Sequence, residues 1–216
     1  MKFKNKFTIA ISLVFSIMLL VSCSEERPIN SEITYYPTIE IEGGQYIITQ
    51  KGEPYTDTGV VAKSGDNELP LVTTGTVNTS QVGLYRLNYS ATNVDGFDGT
   101  SFRYVIVADN PSAIAARDLS GSYTRNTNSA HIMTLTKFAD GFYQADDVLP
   151  TNKISAIIAQ VSDTEVIIPR QSSGYGDIAA DPTDVSGSGG DLIGNDITFR
   201  LYISCCGIFN RSFIKD

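Results

Sequence analysis

The chain has 216 residues, 42% of them hydrophobic and 10% aromatic, which is too apolar for a disordered protein and enough for one large or two small folded domains. Lysine and arginine number 16 against 24 acidic residues, a net charge of −8, with one histidine and no tryptophan. That balance excludes nucleic acid as a partner, because its binding rests on cations neutralising phosphates and no basic cluster occurs beyond the first few residues.

Residues 1–6 include three lysines, and residues 7–21 are apolar apart from Thr8, Ser12 and Ser16. A membrane-spanning helix needs about 20 apolar residues. This run is shorter, and its flanks, basic before and small-residued after, are those of a secretory leader. It closes on Leu20-Val21-Ser22-Cys23, which resembles the lipobox of bacterial lipoproteins. The resemblance implies that residues 1–22 are a signal peptide and that the Cys23 thiol is diacylated, with palmitate-like chains. Each buried methylene contributes about 0.8 kcal/mol, so two or three chains fasten the protein without a span. Ser24-Glu25-Glu26 resembles the export signal of Bacteroidota-type surface lipoproteins, which implies an outer-membrane anchor facing the exterior. Residues 23–36 then form a flexible tether. With Lys2, Lys4 and Lys6 in the leader, 13 basic residues remain against 24 acidic ones, a net of −11, suited to keeping an extracellular domain soluble.

From Ile39 the patterning is that of strands. Ile39-Glu40-Ile41-Glu42 alternates with period two, Gly43-Gly44 turns the chain, and Tyr85, Leu87, Tyr89 and Ala91 share one face. Turn residues recur at Gly52, Gly65, Pro70, Gly75 and Asp95-Gly96, a spacing that predicts an antiparallel sandwich. Gly52, Tyr55, Asp57, Gly59 and Ala62 fall in the order G-x-x-Y-x-D-x-G-x-x-A, and residues 77–96 carry G-x-Y-x-L-x-Y-x-A with Asn78 and Asn93 in place of aspartates. Both blocks resemble bacterial surface immunoglobulin-like domains, which implies an immunoglobulin-like β-sandwich over 37–109. Gly83 before Tyr85 resembles a tyrosine corner, a structural role for that phenol.

Asn110-Pro111 begins a linker, 110–118, with small residues suited to one helical turn. A second, smaller antiparallel β domain is expected over 119–216, with strands at 121–125, 131–137, 141–145, 153–160, 164–168, 197–204 and 209–214. Residues 169–195, rich in glycine, serine and aspartate, read as a mobile surface loop. Residues 118–125 with 135–143 resemble the start of the carboxy-terminal domain of an uncharacterised surface lipoprotein family, often associated with polysaccharide utilisation. That family brings no catalytic residues.

Chemistry is sparse. His131 is the lone histidine, without a G-x-S-x-G nucleophile elbow, and reads as structural. Asp140, Asp146, Asp147 and Asp177 read as solvated turn carboxylates, and no spacing suggests a metal or cofactor. Successive strand residues point to opposite faces, so Cys205 reads as a small core residue and Cys206 as a near-surface thiol, with a vicinal disulfide as the alternative. Sugar rings stack on aromatic planes, and Tyr123, Phe142, Tyr143 and Tyr175 are the candidate ligand contacts. The expectation is a non-enzymatic, lipid-anchored surface protein that binds a glycan or serves a polysaccharide-utilisation system. The alternatives are an assembly lipoprotein binding an outer-membrane transporter, and a glycoside hydrolase.

Overall fold

Period-two alternation makes strands of most of the chain. The computed structural model describes residues 33–149 and 153–216; the leader and Cys23 lie outside the described residues. Among the described residues there are sixteen strands and one short helix. The fold is all-β, an immunoglobulin-like sandwich followed by a closed antiparallel barrel.

One sheet of the sandwich is β1 (Thr38–Ile41), β3 (Val60–Ser64) and β4 (Asn67–Leu69), in that order. The other orders β2 (Tyr46–Gln50), β7 (Asp98–Ala108), β6 (Gly83–Thr92) and β5 (Val72–Thr74), with β2 parallel to β7 and the rest antiparallel. The first sequence block is what joins the sheets. Arg103 on β7 is 3% exposed, and its Nη1 meets the Asp57 carboxylate. The same guanidinium donates to the carbonyls of Gly44, Glu42 and Thr58, at 3.0, 2.5 and 3.2 Å. The phenols of Tyr89 and Tyr55 donate to Asp57 at 3.0 and 3.1 Å. A buried cation is tolerated only when its donors are paired in this way. Tyr85 reaches back to the Gln81 carbonyl at 2.9 Å, a tyrosine corner.

Asn110 caps α1 (Pro111–Ala116) by accepting from the Ala113 N–H at 3.1 Å. Beyond it come β8 (Gly121–Arg125), β9 (Asn128–Ala139), β10 (Phe142–Asp146), β11 (Ala156–Gln160), β12 (Glu165–Ser173), β13 (Gly176–Ala180), β14 (Gly189–Ile193), β15 (Asp196–Ile203) and β16 (Gly207–Lys215). Their order is β11-β10-β9-β8-β16-β15-β13-β12, and pairing of Ala159 with Ile167 and Gln160 with Val166 closes the ring. β14 adds beside β12 and the far half of β15. Every ring contact is antiparallel, so the turns β8–β9, β10–β11, β12–β13 and β15–β16 share one end, the mouth. The interior is filled by side chains, among them Tyr123, Met133, Leu135, Tyr143, Ile158, Phe199 and Phe213.

The expected mobile loop over 169–195 is instead largely part of the barrel wall. Its small residues permit close approach: a Cβ on Gly190 would lie 2.5 Å from the Val166 carbonyl oxygen. Its serines and aspartates build a turn, with the Ser188 hydroxyl donating to the Asp181 and Val185 carbonyls at 2.8 Å each. Sandwich and barrel meet in a second apolar cluster of Tyr104, Ile106 and Ala108 from β7, Ile114 from α1, and Phe142, Ala159, Val161 and Ile167 from the barrel's outer face. Gly141, at φ +73°, turns β9 into β10 against this seam, where a Cβ would come within 2.9 Å of both Ile106 and Ile114. Tyr35–Asp216 accordingly form one compact unit.

Asp57→Ala should strand the Arg103 charge and cost about 3 kcal/mol, the scale for breaking a buried pair. A thermal midpoint lowered by roughly 10 °C is expected. An unchanged midpoint would show that the ion pair does not hold the sheets together.

Candidate functional site

Among the described residues the barrel interior is filled by side chains along most of its length, with a cleft towards its mouth. This cleft, of about 290 Å³, is lined by Leu149, Tyr175, Ile203, Cys205, Cys206, Phe209 and Arg211. Its rim comes from two hairpin tips. Ser173-Gly174-Tyr175-Gly176 turns β12 into β13, with the Ser173 hydroxyl donating to the Gly176 carbonyl at 2.6 Å. Ser204-Cys205-Cys206 turns β15 into β16, the Cys206 N–H donating to the Ile203 carbonyl at 2.9 Å before Gly207 at φ +95°. The Ser204 hydroxyl accepts from the Asp177 N–H at 3.0 Å, which ties the two tips together.

Cys205 and Cys206 form a disulfide with each other, and both are exposed. The reading of Cys205 as a core residue and Cys206 as a thiol is therefore corrected. Its premise was that both sit in a strand, and a turn releases neighbouring side chains from pointing to opposite faces. The disulfide adds an apolar sulfur face to the cleft.

Of the four aromatic candidates, the structure places only Tyr175 at the cleft, half-buried against the barrel core. Tyr123 and Tyr143 are 0% exposed and point into the barrel. The Tyr123 phenol donates to the Leu119 carbonyl at 2.6 Å, the geometry of Tyr85 repeated after Gly121. Tyr143 donates to the Arg117 carbonyl at 3.0 Å. Phe142, also 0% exposed, lies in the seam, 5.0 Å from the Tyr46 ring. These three are corrected from ligand contacts to core residues, because alternation turns Tyr123 and Tyr143 into the closed barrel and the sandwich covers Phe142 on its outer face. Cys23, the proposed lipidation site, lies outside the described residues.

Sequence reasoning missed Arg211 and Phe209 and held the disulfide only as the alternative. A signal existed: in Phe209-Asn210-Arg211-Ser212-Phe213 the arginine shares a face with two phenylalanines. Burial, and then repulsion from Arg125, pushes the Arg211 pKa down. His131 faces the same interior, 3% exposed, its ring 5.2 Å from Phe213 and its Nε2 2.7 Å from the Asp147 carbonyl oxygen. Among the described residues no three His, Cys, Asp or Glu side chains gather as metal ligands do. The carboxylates are dispersed: Asp140 pairs with Lys137 at 3.2 Å, Asp177 with Arg170 at 3.7 Å, and Asp146 accepts from Ser155 at 3.2 Å.

A second groove, of about 520 Å³, lies on the sandwich and includes Arg86, Asn88, Ser101 and Phe102. Its arginine is already stacked over Phe102, 4.7 Å from the ring centroid, which leaves the groove mainly hydroxyls and amides.

Residues 39–107 match the family described as bacterial surface protein, Ig-like domain, so the sandwich is similar to modules of that kind. Seven chains of solved structures match the protein. One is the crystal structure of a lipoprotein from Bacteroides thetaiotaomicron, 21% identical, with 84% of this chain and 100% of that chain covered at a TM-score of 0.36, a likeness on which no conclusion is built. No curated protein matches the chain.

Two outcomes check this geometry. The chain from Ser24 onward should show no alkylatable thiol until it is reduced, whereas two reactive thiols before reduction would contradict the disulfide. Burial raises the Tyr123 and Tyr143 phenols above the ordinary value of 10.0. The unfolded chain therefore loses these protons first, and stability is intact below that pH and lost as pH climbs through the folded-state values. Denaturant midpoints should fall above pH 10; midpoints that hold steady there would place these phenols in solvent.

Proposed function

We propose that the protein is a lipid-anchored bacterial surface protein that captures a glycan at the barrel mouth and does not catalyse its conversion. The observation that carries this reading is the cleft itself, a half-buried tyrosine, a phenylalanine and an apolar disulfide placed around one opening of an otherwise filled barrel. Sugars offer apolar C–H faces to such surfaces. The lipobox-like Cys23 and the surface immunoglobulin-like match of 39–107 support the anchored location. The dispersed carboxylates, with Asp140 and Asp177 held by cations and Asp146 by a hydroxyl, favour binding over hydrolysis.

The sandwich would act as a stand. The β9–β10 turn, with Gly141 against Ile106 and Ile114, lies at the barrel end opposite the mouth. A ligand at the mouth would then be met away from the seam.

The test has two arms. Protein from its native host should carry acyl chains on a terminal Cys23 by mass spectrometry; a chain still beginning at Met1 would end the anchored reading. The soluble chain from Ser24 should be retained on polysaccharide affinity gels, and Tyr175→Ala should weaken retention about three- to tenfold, the range of one aromatic contact. Retention by no polysaccharide, or retention indifferent to Tyr175→Ala, would remove the mouth as a glycan site, and co-purification with an outer-membrane transporter in that case would favour an assembly role.

A further inference from the structure

Two arginines enter the barrel at its mouth without an acidic partner. Arg125 lies opposite Phe213, and Arg211 lies opposite Phe199. Residues paired across antiparallel strands share a face, and both phenylalanines are 0% exposed in the barrel core, so both arginine stems run inward. Among the described residues, no carboxylate lies within ion-pair distance of either guanidinium. Arg211 donates to the Asn210 carbonyl at 2.9 Å and sits 5.3 Å from the Phe209 ring centre, and the Arg125 guanidinium makes no side-chain hydrogen bond among the described residues. The Nε atoms of both are buried without a partner.

These are not isolated defects. Five buried side-chain atoms among the described residues lack a hydrogen-bond partner: Arg125 Nε, Arg211 Nε, His131 Nδ1, Asp147 Oδ1 and Gln160 Oε1. The first four belong to this end of the barrel, where His131 bridges from Phe213 to Asp147. Asp147 Oδ1 lies 3.6 Å from His131 Nε2 and is the carboxylate of the group, so the two arginines leave the cluster positive. Folding gains nothing from two neighbouring cations on one half-buried face, since an unpaired buried charge is a liability. An anion repays that cost, and a guanidinium fork matches the oxygens of a carboxylate or sulfate. Beside it, Tyr175, Phe209 and the Cys205–Cys206 disulfide offer a surface for a ring.

We infer that the mouth selects an acidic sugar, its carboxylate or sulfate held by Arg125 and Arg211 and its ring laid against Tyr175 and Phe209. This rests on the glycan reading above and adds the charge of the ligand. The test is calorimetric titration of the chain from Ser24 onward with matched acidic and neutral oligosaccharides and with inorganic sulfate, using wild type, R125Q and R211Q. The acidic sugars should bind, their neutral counterparts should bind at least about tenfold more weakly, and each arginine variant should lose about tenfold in affinity for the acidic ones. Thermal midpoints of the ligand-free variants should equal or exceed that of wild type, because an unpaired buried charge has been removed, which separates lost binding from lost folding. Neutral sugars bound as tightly, with the arginine variants indifferent, would overturn the acidic preference and leave the glycan reading standing. Arginine-dependent sulfate binding with no oligosaccharide bound would overturn the sugar as ligand, and no binding in any arm would overturn both.

Discussion

Closure of the barrel is the constraint from which the rest follows. Once β11 pairs with β12, each strand of the ring has one face turned to a fixed interior volume and one turned out. Side chains such as Tyr123, Tyr143, Phe199 and Phe213 fill that volume, so the interior is a core and not a ligand chamber. The same alternation carries Arg125, His131 and Arg211 inward, where the wall ends and the packing thins. The cleft is the place where the inward column runs out of apolar residues.

The barrel's outer face is equally constrained on the side of the sandwich. β7 is buried on both faces: Arg103 and Val105 look into the sandwich, Tyr104 and Ile106 into the seam. The ion pair of Arg103 with Asp57 fixes the first sheet against β7, and the seam fixes β7 against β10, β11 and β12. Sandwich and barrel are therefore packed together and not strung as separate beads, because parting them would expose Ile106, Ile114, Phe142 and Val161 to water. If the proposed tether at the amino terminus holds, such a joint would keep the mouth in a steady relation to the sandwich.

The mouth joins two chemistries that folding alone does not call for. An apolar patch of Tyr175, Phe209 and a disulfide adjoins Arg211, and behind it Arg125, whose buried Nε atoms have no acceptor among the described residues. Stability and ligand recognition would pull in opposite directions at such a place: what the free fold tolerates as a small loss, the proposed anion would recover as charge-assisted hydrogen bonds.

Sequence by itself determined the all-β class and the sandwich, since period-two alternation and turn residues are local and the blocks built on Tyr55, Asp57, Tyr85 and Tyr89 are contiguous. It also marked the helical turn after Asn110 and most strand positions of the second domain. Only tertiary structure decided that residues 169–195 complete a wall, that Tyr123 and Tyr143 lie inside and Phe142 in the seam, that Cys205 and Cys206 sit in a turn, and that Arg125 and Arg211 share one inward face. The physical reason is that alternation says which residues share a face of one strand. Which face becomes the inside, and which distant strand stands opposite, is fixed by pairings such as Ala159 with Ile167 and Arg125 with Phe213, made between residues far apart in the chain.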